Sequence, residues 1–134
     1  MRRGLPALIA LALLAGCSSG SDDEPPDVEG PPREVARTVA DLEAATRRRD
    51  YESICDDLFT RAARERAGGD ECAALLRSAV DGVRQPRIRV LAIRVRGRRA
   101  RVRVRTRAAA QGPIVETIEL RRERGRFRIA SLLP

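Results

Sequence analysis

Residues 87–107 read RIRVLAIRVRGRRARVRVRTR, and the period of this stretch decides the fold. Leu91, Ile93 and Val95 alternate with Ala92, Arg94 and Arg96; Val102 and Val104 then alternate with Arg101, Arg103 and Arg105. A period of two sends successive side chains to opposite faces of a strand. Gly97-Arg98 between the two runs fits a two-residue turn with glycine first. That turn sets Ile93 opposite Val102 and Leu91 opposite Val104, with apolar groups on one face and arginines on the other. Ile88 and Val90 are out of phase with Leu91, so a bulge is expected near Val90. Two more strands are predicted, Ile114 to Arg122 and Arg126 to Leu132, joined through Glu123-Arg124-Gly125.

Upstream of Gln85-Pro86 the period is that of helices. Val35, Val39, Leu42 and Thr46 recur at three- and four-residue steps, behind a Pro-Pro start and ahead of Arg47-Arg48-Arg49. Basic residues there suit the negative end of a helix dipole. A second helix is expected from Tyr51 through Leu58, with a further turn or two from Thr60 to Ala67. Gly68-Gly69 ends it, and Asp70 is placed to cap a third helix through Leu75, Leu76, Ala79 and Val80. Helices first and a meander afterwards make an α+β domain over residues 33–134, with N-terminal helices packed on a bent, four-stranded, mostly antiparallel sheet.

The first 32 residues have another character. Arg2 and Arg3 precede an apolar run from Leu5 to Ala15, the pattern of an export signal over residues 1–16. Those 11 residues make a helix of about 16 Å, half of a ~30 Å hydrocarbon core, too short to span it. The run ends Leu14-Ala15-Gly16-Cys17, which resembles the bacterial lipoprotein signal, the lipobox. The resemblance implies that Cys17 carries a lipid and begins the mature chain, anchored to the outer face of the cell membrane, or to an outer membrane where the cell has one. Two acyl chains give a stable anchor where one holds only marginally. Residues 17–32 then supply a disordered acidic linker rich in Pro, Gly and Ser.

Composition narrows the chemistry. With 43% apolar residues but only 2% aromatic ones, the core must be aliphatic. All 27 basic residues are arginine, and His, Lys and Asn are absent. Such usage beside abundant Ala, Gly and Pro fits a GC-rich coding sequence, so the net charge of +8 is discounted as a functional signal in itself. The lack of His removes the usual general base, the commonest metal ligand and every Ser-His or Cys-His pair. Besides Cys17 there are Cys55 and Cys72, which an oxidising address would join. A loop of that size stabilises by about 3 kcal/mol on the chain-entropy model. A redox-active or metal-binding pair is the weaker alternative, because the spacing is not CxxC and no His completes a site. No metal or other cofactor is expected.

The order of helices and strands is similar to the nuclear-transport-factor-2-like fold. Two segments carry the likeness. Arg49-Asp50-Tyr51-Glu52-Ser53-Ile54-Cys55-Asp56-Asp57-Leu58 resembles that family's turn between its first helices. Glu123-Arg124-Gly125-Arg126-Phe127-Arg128-Ile129-Ala130-Ser131-Leu132 resembles its closing hairpin. Small exported lipoproteins of actinobacterial type with this fold often carry such a cysteine pair. Some members of the fold are isomerases or cyclases that use acids and Tyr in a pocket. Here the strands offer only Glu116 and Glu119, and Tyr51 is the single Tyr. Glu116 shares its alternation with Ile114, Ile118 and Leu120; it is a weak catalytic candidate, a base if buried, with a carboxylate at the sheet margin as the plainer reading. Tyr51 and Phe127 read as core or rim residues rather than stacking platforms.

The charge map is uneven. Residues 17–83 hold 9 Arg against 16 acids, and residues 84–134 hold 16 Arg against 3 acids. Arg101, Arg103, Arg105 and Arg107 share one strand face, with Arg94 beside them. The plainer reading is a solvated outer face relieved by acids such as Glu119. The functional reading is an anion-binding face for lipid headgroups or acidic wall polymers. Nucleic acid is not expected, given the exported address and the lack of interleaved aromatics. The sequence therefore predicts a non-enzymatic, lipid-anchored binding module, with an accessory domain of an envelope protein complex and a small-molecule enzyme as alternatives. Its oligomeric state is open.

Overall fold

The computed structural model describes residues 29–133. The export signal of residues 1–16, the lipid-attachment position Cys17 and the linker up to residue 28 lie outside the described residues. Among the described residues, no helix is long and apolar enough to cross a membrane.

Helix α1 (Pro31–Arg48) opens with proline in its first turn, where the missing N–H costs nothing, and closes on Arg47 and Arg48. Val35, Thr38, Val39 and Ala45 form its buried face. Arg49 takes a left-handed conformation at φ 59°, and Asp50 N–H returns to Ala45 O at 2.9 Å, which ends the helix. Asp50 then caps α2 (Tyr51–Ser53), accepting from Ser53 N–H at 3.2 Å and Ser53 Oγ at 2.8 Å. Those two hydrogen bonds to Ser53, with the nearby Arg48 charge adding a little, hold its carboxyl below the ordinary value of 3.8.

The chain continues as a wider π-type turn over Ile54–Leu58, so Tyr51 to Leu58 is helical throughout, as the sequence predicts. That turn delivers Phe59 and Thr60 alongside the last strand. Helix α3 (Arg61–Arg66) starts from Thr60, whose Oγ1 accepts from Ala63 N–H at 3.1 Å. Helix α4 (Cys72–Ala79) differs from expectation at its start. A 3₁₀ turn, Gly69–Glu71, precedes it, and its cap residue is Glu71 without a side-chain bond. Asp70 instead lies 3.3 Å from the Arg64 guanidinium. Cys55 and Cys72 are disulfide-bonded, with Cα atoms 6.1 Å apart, and tie the π-type turn to α4.

Strands β1 (Arg87–Arg96), β2 (Arg99–Ala108), β3 (Gln111–Glu123) and β4 (Arg126–Leu133) form an antiparallel meander in the order β1-β2-β3-β4. The α+β architecture of helices followed by a four-stranded sheet is therefore the one the sequence predicts. Gly97 has φ 57°, a conformation that favours glycine in the tight turn between β1 and β2. Ile93 opposes Val102 as expected, and a bulge falls between Val90 and Ala92. The bulge corrects one pairing. Val90, not Leu91, opposes Val104, and Leu91 is 39% exposed.

Helix α1 crosses one face of the sheet from corner to corner. At one end Glu34 pairs with Arg122 of β3 at 2.9 Å; at the other Glu43 accepts from Ile88 N–H of β1 at 2.6 Å. Val35 and Val39 thereby meet Val102, Val104, Ile118, Leu120 and Ile129, all at most 1% exposed. This aliphatic layer is the core, and apolar burial of this kind is its main source of stability. Along β4, Thr60 N–H bonds Ile129 O at 2.9 Å and Phe59 bridges Ile129, so that edge is covered in part.

Candidate functional site: the outer face of the sheet

The face of the sheet turned away from α1 is read from cross-strand partners, since directly opposed residues share a face. At the Gly97 end one row runs Arg96–Arg99–Arg121–Arg128 across all four strands. The next runs Arg94–Arg101–Glu119–Ser131, and the next Ala92–Arg103–Thr117–Leu133. Arg89, Arg105 and Val115 follow, then Arg87 opposite Arg107. Arg94, Arg101, Arg103 and Arg105 thus stand together on one face as the alternation predicts, with Arg107 at its far end beside a register shift between Thr106 and Ala108.

Directly opposed arginine pairs number six in this register: 87/107, 89/105, 94/101, 96/99, 99/121 and 121/128. Strands lie about 4.8 Å apart, and two unit charges at that range repel by about 1 kcal/mol even in water. Two carboxylates stand among them in register, Glu119 and, at the hairpin end, Glu123 opposite Arg126. Glu119 takes Arg101 at 2.8 Å and accepts from Ser131 Oγ at 3.1 Å. With the Arg101 side chain 71% exposed, that pair contributes about 0–1 kcal/mol. Arg128 leans round the β4 edge, where its Nη1 donates to Asp56 O at 2.9 Å. The remaining arginines of the face are exposed, apart from the half-buried Arg105.

Arg99, Arg121 and Arg128 were not among the residues singled out from the sequence. Arg99 and Arg121 become neighbours only through the β2–β3 register, and Arg128 only through β3–β4. Their alternation within each strand is legible in the sequence; the row they form is set by those two registers.

Glu116 lies on the opposite, inner face, opposite Val104 and between Ile114 and Ile118. It is half-buried. Neither of two surface depressions includes it. One, of about 410 Å³, lies between α3 and the β3–β4 hairpin and is lined by Asp56, Phe59, Arg61, Arg64, Glu65, Glu123, Arg124 and Arg128. In it the Arg64 guanidinium pairs with Asp56 at 3.0 Å, and the backbone N–H of Arg61 donates to the Glu123 carboxylate at 3.0 Å. The other, of about 320 Å³, runs along Asp41, Arg48, Ser53, Asp57 and Arg126. Tyr51 and Phe127 are buried, at 6% and 2% exposed. Among the described residues no group of three or more His, Cys, Asp or Glu is placed to hold a metal ion.

No protein-family model matches this chain, and no curated protein is similar to it. Among solved structures, it is similar to the solution structure of a SEC-C motif containing protein from Rhodopseudomonas palustris. The TM-score is 0.57 with 19% identity, covering 74% of this chain and 84% of that one. This likeness is one of fold. A de novo designed NTF2 fold protein aligns with a TM-score of 0.46 and 15% identity over 75% of this chain and 81% of the design.

Proposed function

We propose that this protein is an exported, non-enzymatic binding module of the cell envelope, lipid-anchored through Cys17, whose outer sheet face takes an anionic envelope component. The observation that carries this reading is the set of six opposed arginine pairs on a face where Glu119 and Glu123 are the carboxylates in register. Arginines held at strand spacing repel one another, and an oxyanion lying across two rows relieves that repulsion while accepting hydrogen bonds from both. The anchor supports the same reading, because it keeps the domain within a linker's length of acidic headgroups and wall polymers.

The test uses the purified full chain and inorganic polyphosphate. The wild type is expected to bind with an affinity that falls steeply as salt rises. Each basic residue at an anionic surface contributes on the order of 1 kcal/mol. Arg101→Glu with Arg103→Glu should therefore weaken binding by roughly a hundredfold or more. Both side chains are exposed, so the circular dichroism spectrum should not change. An unchanged affinity in the double variant would sink the basic-face reading.

A further inference from the structure

The arginines of the outer face are not spread evenly over it. Strand β2 carries one at every second position from Arg99 to Arg107, five in all. Four of these stand opposite an arginine of β1, and only Arg103 faces Ala92 instead. On the other side, β3 sets Glu119, Thr117 and Val115 level with Arg101, Arg103 and Arg105. Away from the row at the Gly97 end, the basic groups therefore form a strip two strands wide that runs along β1 and β2. At strand rise the strip is roughly 27 Å long, with a charge about every 6.8 Å along β2 and a second about 4.8 Å to its side.

That spacing selects among polyanions. Two residues of a strand are six backbone bonds, so a chain lying along β2 keeps step with its arginines when its own charges recur every six bonds. Polyphosphate has two bonds between successive phosphorus atoms and crowds about three charges into each step. A phosphodiester chain with three carbons between phosphates has six. Each of its phosphates spreads one charge over two free oxygens, and a guanidinium from each strand is placed to take one. Nucleic acid shares the six-bond repeat, but its bases gain from aromatic stacking, and Tyr51 and Phe127 are buried.

We propose that a linear phosphodiester polymer with a three-carbon spacer lies along the β1–β2 strip, parallel to the strands, with one phosphate to each arginine of β2. The proposal rests on the basic-face reading above and names the polymer class and its direction. Oligomers of glycerol phosphate with two, three, five and eight phosphates are titrated against the full chain, with polyphosphate alongside. Affinity should rise roughly thirtyfold from three phosphates to five and then level off. A polymer lying across the four strands would span only about 14 Å and stop gaining at three.

Arg103→Glu divides the strip, leaving two β2 arginines on either side, and should bring the plateau down to two phosphates. Arg103 is exposed, and the reversal relieves its repulsion by Arg101 and Arg105, so the fold should hold. Arg37→Glu, exposed on α1, makes the same charge change off the sheet and should leave the plateau at five. A plateau at three, no rise with length, or a plateau that Arg103→Glu leaves at five overturns the proposal. So does tighter binding of an oligothymidylate of five phosphates than of the glycerol oligomer, which would favour nucleic acid. Where polyphosphate still binds in these cases, the basic-face reading stands and the strip alone falls. If neither polymer binds, both readings fall together.

Discussion

Phe127→Ala should lower the stability of the folded domain by about 3–5 kcal/mol, a large share of the 5–15 kcal/mol typical of a domain of this size. Three separate interactions meet at this residue. Its ring is 2% exposed and sits in the core cluster with Ile129, Leu120 and Val35, so truncation leaves a cavity among buried side chains. The Arg122 guanidinium lies 4.4 Å from the ring centroid, a cation–π contact of roughly 0.5–1 kcal/mol where it is partly exposed. Finally, Phe127 O accepts from the buried Thr38 Oγ1 of α1 at 2.9 Å, so displacement of β4 here loosens the helix as well. Urea unfolding followed by circular dichroism gives the value. Phe127→Leu keeps most of the volume and should cost less than Phe127→Ala, by the tolerance of cores for conservative swaps. A cost below about 1 kcal/mol for the alanine variant would contradict the burial described here.

The parts of this fold that could be read from sequence are those fixed by local rules. Gly97 sets the turn, the turn sets the register, and the register gives Ile93 opposite Val102. The failure at Leu91 came from a tie that no local rule breaks. Val90 and Leu91 are both apolar strand formers, and either could face the core beside a bulge. The contact that decides is remote in sequence: Glu43 of α1 accepts from Ile88 N–H, holding the start of β1 in the phase that turns Ile88 and Val90 inward. Asp70 failed as a cap for a related reason. The disulfide and a 3₁₀ turn set where α4 begins, and the freed carboxylate turned to Arg64.

The site divides along the same line. That Arg101, Arg103 and Arg105 share a face follows from period two alone. Arg94 opposite Arg101 follows from the Gly97 turn as well, but Arg89 opposite Arg105 depends on the bulge, and the row through Arg121 depends on the β2–β3 and β3–β4 registers, which alternation within a strand cannot supply. Charge excess shows where to look, and register shows what is adjacent.

Joint replacement of Cys55 and Cys72 by alanine should cost about 3 kcal/mol, with the loss reproduced in the wild type by a reductant strong enough to reach buried sulfurs. The residues are separated by 17 positions, and closing a loop of that size removes about this much freedom from the unfolded chain. Alanine is the better substitute, because both positions are at most 3% exposed and serine would bury an unpaired hydroxyl. The folded state should show the loss unevenly. Helix α4 has eight residues, too few to hold alone in water, and the bond ties its first residue to the π-type turn. Amide exchange should therefore quicken first in α4, while β2 and β3, built around Val102, Val104, Ile118 and Leu120, keep their protection longest. An equal stability with and without the bond would mean that the pair constrains neither state.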